Sequence, residues 1–200
     1  SCVYPKFSQQ PIKEEYLLSG PLEPTNEAYA IAKISGIKLC ENYKKQYMRN
    51  YFSLMPTNLY GFNDNYDLES SHVLPALLSK AHSAKINNEK TITIWGSGKV
   101  KREFLFVDDL ADACSHLLNI NYHGPMLNVG TGNDITISEL AKKIMGTVGI
   151  NASLIYDKSY PDGTPRKVLD VSKINNLGWK ASTSLEDGLR KVYNNKFLGK

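Results

Sequence analysis

No stretch of this sequence approaches the roughly 18 consecutive apolar residues that a membrane span requires, and its first ten residues, SCVYPKFSQQ, lack the charged-then-apolar order of a signal peptide. A membrane partner is therefore not expected, and the default address is cytoplasmic. Cysteine is scarce: Cys2, Cys40 and Cys114 are an odd number without metal-ligand spacing. That argues against a disulfide framework and against a zinc site, so no metal is expected. Blocks of like charge are absent as well. The 24 basic and 20 acidic residues are scattered, and the net charge of +4 is a mild bias that suits an anionic small molecule rather than nucleic acid. No 20–50-residue repeat is visible, which excludes solenoids and propellers. A further absence matters most: no Gly-x-Gly-x-x-Gly turn follows a strand.

What is present is a chain of 200 residues, 42% of them apolar, enough for one substantial domain or somewhat more. The pattern reads as the end of a strand at Ser1, a polar, proline-containing loop to Thr25, and a helix from Asn26, its N-cap, to Arg49. A short strand follows over Tyr51 to Met55, opening at its C-terminal end into the loop PTNLYGFNDN. Further helices are expected over Ser70 to Lys85, Asp108 to Leu118, Thr136 to Val148 and Ser184 to Asn194. Thr136 with Glu139 forms a capping box for the third of these, and Ser184 with Asp187 caps the fourth. Strands are expected at Thr91 to Trp95, Glu103 to Val107, Met126 to Val129 and Ala152 to Tyr156. Alternation of strands with helices predicts an α/β fold with a largely parallel sheet.

Tyr29 and Lys33 lie four residues apart in PTNEAYAIAK, so a helix stacks them on one face. An ammonium beside a phenol favours its ionised form, and such a phenol can give a proton to a carbonyl oxygen while a hydride reaches the carbon. That is the chemistry of nicotinamide-dependent reduction. Gly96-Ser97-Gly98 and Gly130-Thr131-Gly132 each follow a strand, but neither leads into a third spaced glycine and an immediate helix, so both read as turns. Either no dinucleotide binds, or its phosphates are gripped by residues upstream of Ser1.

Taken together, SCVYP, PTNEAYAIAK, MPTNLYG, SHVLPALL, IWGSGKVKREFLFVDDLADA, LNVGTG and PDGTPRKVLDVSKINNLGW resemble the extended short-chain dehydrogenases/reductases that act on nucleotide-sugars. The likeness spans nearly the whole chain. It is narrowest to those members that epimerise GDP-4-keto-6-deoxy-D-mannose at carbons 3 and 5 and reduce carbon 4 with NADP(H). The resemblance implies a fold made of part of a Rossmann-type parallel sheet, residues 1–60, followed by a smaller α/β substrate domain, residues 61–200, with the segment near 104–118 returning to the first. It also implies that the glycine-rich turn, and a serine sharing the substrate oxygen with Tyr29, precede Ser1, so the 200 residues alone are expected to be inactive. A homodimer through the Tyr29 helix is implied by the same likeness.

The resemblance assigns roles residue by residue. Tyr29 becomes the general acid and Lys33 its partner, bonding the nicotinamide ribose, with Ser1 on the cofactor-lining strand end. Cys2 and His72 become the acid/base pair of the epimerisation: a carbon beside a ketone has acidic hydrogens, and inversion needs proton-transferring groups on opposite faces. Pro56, Thr57, Asn58 and Leu59, with His72, border the cofactor. Lys80, Trp95, Arg102 and Asp162 become substrate residues. Lys80 stands where bacterial relatives usually carry Arg, keeping the charge but losing the bidentate fork. Arg166 and Lys167 could add positive charge. Cys40, Cys114, His82, His116 and His123 match no motif and read as core or surface. Two other functions stay open: another nucleotide-sugar reductase or 4-epimerase of the same superfamily, or a GDP-sugar-binding module without catalysis.

Overall fold

The computed structural model describes residues 1–68 and 70–199. Two short 3-10 turns precede helix α1 (Glu27–Tyr47), which is followed by strands β1 (Leu54–Pro56) and β2 (Asn58–Tyr60), helix α2 (Val73–Ile86), β3 (Thr91–Trp95) and β4 (Lys101–Phe106). Then come α3 (Val107–Asn119), β5 (Leu127–Val129), β6 (Asp134–Thr136), α4 (Ile137–Val148), β7 (Ser153–Asp157), β8 (Arg166–Lys167), α5 (Ser172–Asn176) and α6 (Leu185–Leu198). Strand pairs β1–β5, β2–β4, β3–β7 and β4–β8 are parallel, and β4–β6 is antiparallel. The α/β class and the dominance of parallel pairing follow the sequence pattern.

Several boundaries move. Residues 1–4 form turns and bends rather than a strand. The strand expected at 51–55 begins only at Leu54, where its partner Leu127 is reached across the ladder. What read as a loop after Pro56 contains β2, paired with Phe104 to Phe106; at three residues it is too short to show a period. Helix α2 starts after His72 because Ser70 N–H and Oγ both bond Asp67 Oδ1, at 2.9 and 2.8 Å, a local turn that competes with helix. Asn26 does occupy the N-cap of α1, but its side chain makes no capping bond. The Thr136–Glu139 capping box forms in full, and α4 ends on Gly149 at φ +74°, a left-handed conformation that glycine adopts without a Cβ penalty.

Two apolar clusters organise the chain. One gathers Tyr60, Leu74, Leu78, Ile92, Ile94, Phe104, Phe106, Leu140, Ile144 and Leu189, from α2, β3, α4 and α6. The other gathers Val3, Tyr4, Ile34, Ile37, Met55, Leu105, Leu117, Leu127, Leu169 and Ile174, from the N-terminal loop, α1, α3, β5 and α5. Strand β4 serves both, since alternate side chains leave a strand on opposite faces: Phe104 and Phe106 enter the first cluster and Leu105 the second.

Between these faces Glu103 is fully buried. Its Oε1 accepts from Thr131 N at 2.6 Å and Gly132 N at 2.7 Å, and its Oε2 accepts from Leu169 N at 2.8 Å. Its main-chain oxygen accepts from Thr57 Oγ1 at 3.3 Å and Asn58 Nδ2 at 2.8 Å. A second buried knot is Asn128, whose Oδ1 accepts from the Tyr4 hydroxyl at 2.5 Å while its Nδ2 donates to Ile12 O and Asp170 O.

Glu103→Ala orphans three N–H groups, of which that of Leu169 is buried while Thr131 and Gly132 reach solvent; at roughly 1–3 kcal/mol for the buried donor the expected loss is about 2 kcal/mol of unfolding free energy in urea, and a loss below about 0.5 kcal/mol would contradict this role. Burial raises the carboxyl's pKa above its ordinary 4.5, with the backbone donors offsetting part of the rise. The folded chain therefore holds that proton more tightly than the unfolded one. The stability held by wild type relative to Glu103→Gln is expected to be greatest below that value and to decline as pH rises through the window above it.

Candidate active site

The chain changes sheets at Thr57. Strand β1 pairs with β5 and β2 with β4, and between them Thr57 N donates to Val129 O at 3.0 Å while its side chain reaches Glu103 O. Such a divergence opens a crevice at the carboxyl ends of parallel strands, where ligands of open α/β sheets sit. Ser1 N donates to Pro56 O at 2.9 Å, drawing the N-terminal turn to the same point.

The crevice is a cavity of about 810 Å³ walled by Ser1, Cys2, Tyr29, Pro56, Thr57, Asn58, Leu59, His72 and Arg102, among others. Tyr29, half exposed, stands on the first turn of α1, and Lys33 Nζ lies 5.4 Å from the centroid of its ring. Lys33 itself is not among the cavity's walls. His72 is the N-cap of α2 in extended conformation, and its imidazole makes no hydrogen bond to another described residue. Cys2 is half-buried, with Lys167 Nζ at 3.7 Å from its Sγ. Lys167 had only the weakest of sequence signals, a cation inside PDGTPRK; β8 brings it to the thiol by pairing Lys167 with Arg102 on β4.

Arg102 also lines a second cavity of about 220 Å³, walled by Lys80, Trp95, Pro161 and Asp162 with apolar residues of α2. The buried-exposed alternation along β3 turns Ile92 and Ile94 inward and leaves Trp95 outward at the strand's end. Strand β7 runs alongside, pairing Asp157 with Trp95, and the loop after it is pinned to the Gly96 turn: Gly96 N donates to Asp157 O at 2.8 Å and Ser97 N to Asp162 Oδ1 at 2.7 Å. Hydrogen bonding from Ser97 holds the Asp162 carboxyl below its ordinary range. Gly96 sits at φ +74°, and a Cβ there would collide with Asp162 Oδ1, so a glycine is needed twice over. Lys80 Nζ donates to Thr93 O at 3.1 Å; partial burial lowers its pKa, with Asp157 opposing. Burial likewise lowers that of Arg102, whose guanidinium remains cationic.

Both glycine turns noted in the sequence have their inward N–H groups filled by carboxylates of the chain itself: Thr131 and Gly132 by Glu103, Ser97 by Asp162. Neither offers an open cradle to a pyrophosphate. Ser1, Tyr29 and Pro56 to Leu59 line the larger cavity, and neither glycine turn leaves amides free for a diphosphate. No group of three or more His, Cys, Asp or Glu among the described residues could hold a metal ion. Cys40 lies elsewhere, in a surface depression with Lys44 and Tyr51, and Cys114 is half-buried on α3. His82 packs on Tyr193 and Phe197, and His116 bonds Leu177 O at 2.8 Å.

Residues 1–130 match the NAD dependent epimerase/dehydratase family, and the chain belongs to it. Among individual proteins it is 55% identical to the putative GDP-L-fucose synthase 2 of Arabidopsis thaliana over 96% of this chain and 59% of that one. It is 52% identical to the GDP-L-fucose synthase of Escherichia coli K12, over 96% of this chain and 63% of the relative. Among solved structures it superposes on MlghC, a GDP-mannoheptose C4 reductase from Campylobacter jejuni with NADP bound, with a TM-score of 0.86 and 35% identity, covering 96% of this chain and 66% of the other. The chain spans about three fifths of the length of the curated relatives it matches.

Among the described residues Arg102 is the one cation that lines both cavities, and charge-assisted pairing with a diphosphate is worth about 1.5–3 kcal/mol. Arg102→Met is expected to weaken binding of a diphosphate probe such as inorganic pyrophosphate by about tenfold or more in calorimetry; an unchanged affinity would show that the guanidinium does not face the bound anion.

Proposed function

We propose that this chain is the substrate-facing part of an NADPH-dependent enzyme that epimerises GDP-4-keto-6-deoxy-D-mannose at carbons 3 and 5 and reduces carbon 4, forming GDP-L-fucose. The observation that carries this reading is the convergence of Tyr29, Cys2 and His72 on one crevice, with Arg102 lining both it and a second cavity that also holds Lys80. The names of the relatives agree with it.

In this reading the diphosphate lies between Arg102 and Lys80, with Trp95 and Asp162 holding the nucleotide, and the sugar ring enters the larger crevice. Cys2 removes a proton from the carbon beside the ketone while the ketone oxygen gathers the charge, and His72 returns one from the other face. Lys167, within hydrogen-bonding distance of Cys2 Sγ, pairs with the thiolate, the form of Cys2 that accepts the proton. Tyr29 then protonates the carbonyl oxygen at carbon 4, with Lys33 compensating the phenolate left behind. NADPH, when bound, supplies the hydride; Ser1, Tyr29, Lys33, His72 and the Pro56 to Leu59 segment would hold its nicotinamide end, and residues outside the described ones its diphosphate. A plain C4 reductase needs no thiol and imidazole in the same crevice, and that pair favours the epimerase/reductase.

Residues 1–60, with the segment near 104–118, form the cofactor side of this scheme, and the rest the substrate side. A cytoplasmic address accords with a chain in which no described helix is long and apolar enough to cross a membrane. A homodimer through α1 accords with that helix's burial of only Ala30, Ile34 and Ile37 while Ile31, Leu39, Tyr43 and Tyr47 stay exposed.

In a protein of the relatives' length carrying these residues, Tyr29→Phe is expected to slow NADPH oxidation by the keto-sugar about 100-fold or more, the usual range for a lost general acid, while GDP affinity holds. Undiminished oxidation would refute Tyr29 as the proton donor, and no oxidation by wild type would refute the activity.

A further inference from the structure

Tyr160, in the loop between β7 and β8, lies flat on Trp95, with ring centroids 4.2 Å apart and planes 5° from parallel. Both rings remain well exposed, 41% for Tyr160 and 48% for Trp95, so neither is there to fill a core. The Tyr160 hydroxyl bonds to no described residue, leaving the stack as the ring's one specific interaction. The loop that presents it is nevertheless built. Asp157 Oδ1 accepts from Ser159 N at 3.0 Å and Ser159 Oγ at 2.6 Å on one side of Tyr160, and Asp162 takes the Ser97 amide on the other.

The arrangement has a direction. The 220 Å³ cavity is walled by Trp95, Lys80, Arg102 and Asp162, whereas Tyr160 is not among its walls. Lys80 Nζ, a cavity residue, lies 5.0 Å from the centroid of the Trp95 ring. Ammonium and phenol therefore both rest against the indole, and of the three only Lys80 and Trp95 wall the cavity. An exposed tryptophan at a strand end would otherwise choose among rotamers; a parallel aromatic neighbour selects one. The selected indole also gives Lys80 a π-surface, which steadies a flexible ammonium that has no fork of its own.

We propose that Tyr160 is a positioning residue of a purine nucleoside diphosphate subsite, holding Trp95 in the plane that walls the cavity and keeping the Lys80 ammonium turned to the diphosphate. This rests on the GDP-sugar reading above and adds to it a residue that the motif resemblance did not supply.

The test compares wild type, Tyr160→Ala and Tyr160→Phe. Titration of the chain with GDP in a calorimeter is expected to show affinity falling about three- to tenfold in Tyr160→Ala, the factor a lost aromatic stack carries, and returning to within about twofold of wild type in Tyr160→Phe, which keeps the ring. Acrylamide quenching of tryptophan fluorescence gives a ligand-free readout. Trp179 is buried, so added quenching in Tyr160→Ala reports Trp95, while the urea midpoint stays unchanged because the pair is exposed. Equal GDP affinity in wild type and Tyr160→Ala, or a Tyr160→Phe as weak as Tyr160→Ala, overturns the proposal alone. No GDP binding by wild type removes the subsite, and the GDP-sugar reading falls with it.

Discussion

The carboxylate of Glu103 is the constraint on which the site depends. Three segments distant in sequence, the 131–132 turn, Leu169 and the Thr57–Asn58 sheet switch, meet on this one residue through its side chain and its main-chain oxygen. A buried anion is costly unless its lone pairs are filled, and here backbone donors fill them. Because β4 also sends alternate side chains into both apolar clusters, the position of Glu103 fixes how the two halves of the core sit against the crevice.

That same knot decides the electrostatics of the cavities. The glycine turns, which in other settings could cradle phosphate, spend their amides on Glu103 and Asp162. Positive character in and beside the two cavities is then left to side chains: Arg102 lining both, Lys80 against the indole and Lys167 near the thiol. Such a site suits an anionic ligand with a planar head and a compact polar tail, gripped at one end and worked on at the other.

Much of this was legible in the chain. The Tyr29–Lys33 spacing requires only that α1 be helical, and PTNEAYAIAK has the composition for it. The α4 capping box and the exposed–buried alternation of β3 are local patterns, and local patterns survive folding. What stayed hidden depends on distant pairing. Strand β2 is three residues long, and β8 two, so neither shows periodicity; both exist because β4 is there to receive them. Lys167 reaches Cys2 only through the β8–β4 pairing, 165 positions apart in the chain. The acid in KREFLF was a usable signal, since a lone glutamate inside an apolar strand must find donors somewhere, but nothing in the sequence says where. Tyr160 gave no signal at all, because a stacked pair between the end of β3 and the loop after β7 has no motif.

The central claim is that a thiol and an imidazole act on opposite faces of a sugar ring before the phenol delivers its proton. Its most direct test is conversion of the keto-sugar in heavy water by a protein of the relatives' length carrying these residues, with NADPH present, followed by NMR of the product. The account predicts deuterium at carbons 3 and 5, and loss of that incorporation in Cys2→Ser. A reduced product carrying hydrogen alone at both carbons would contradict it.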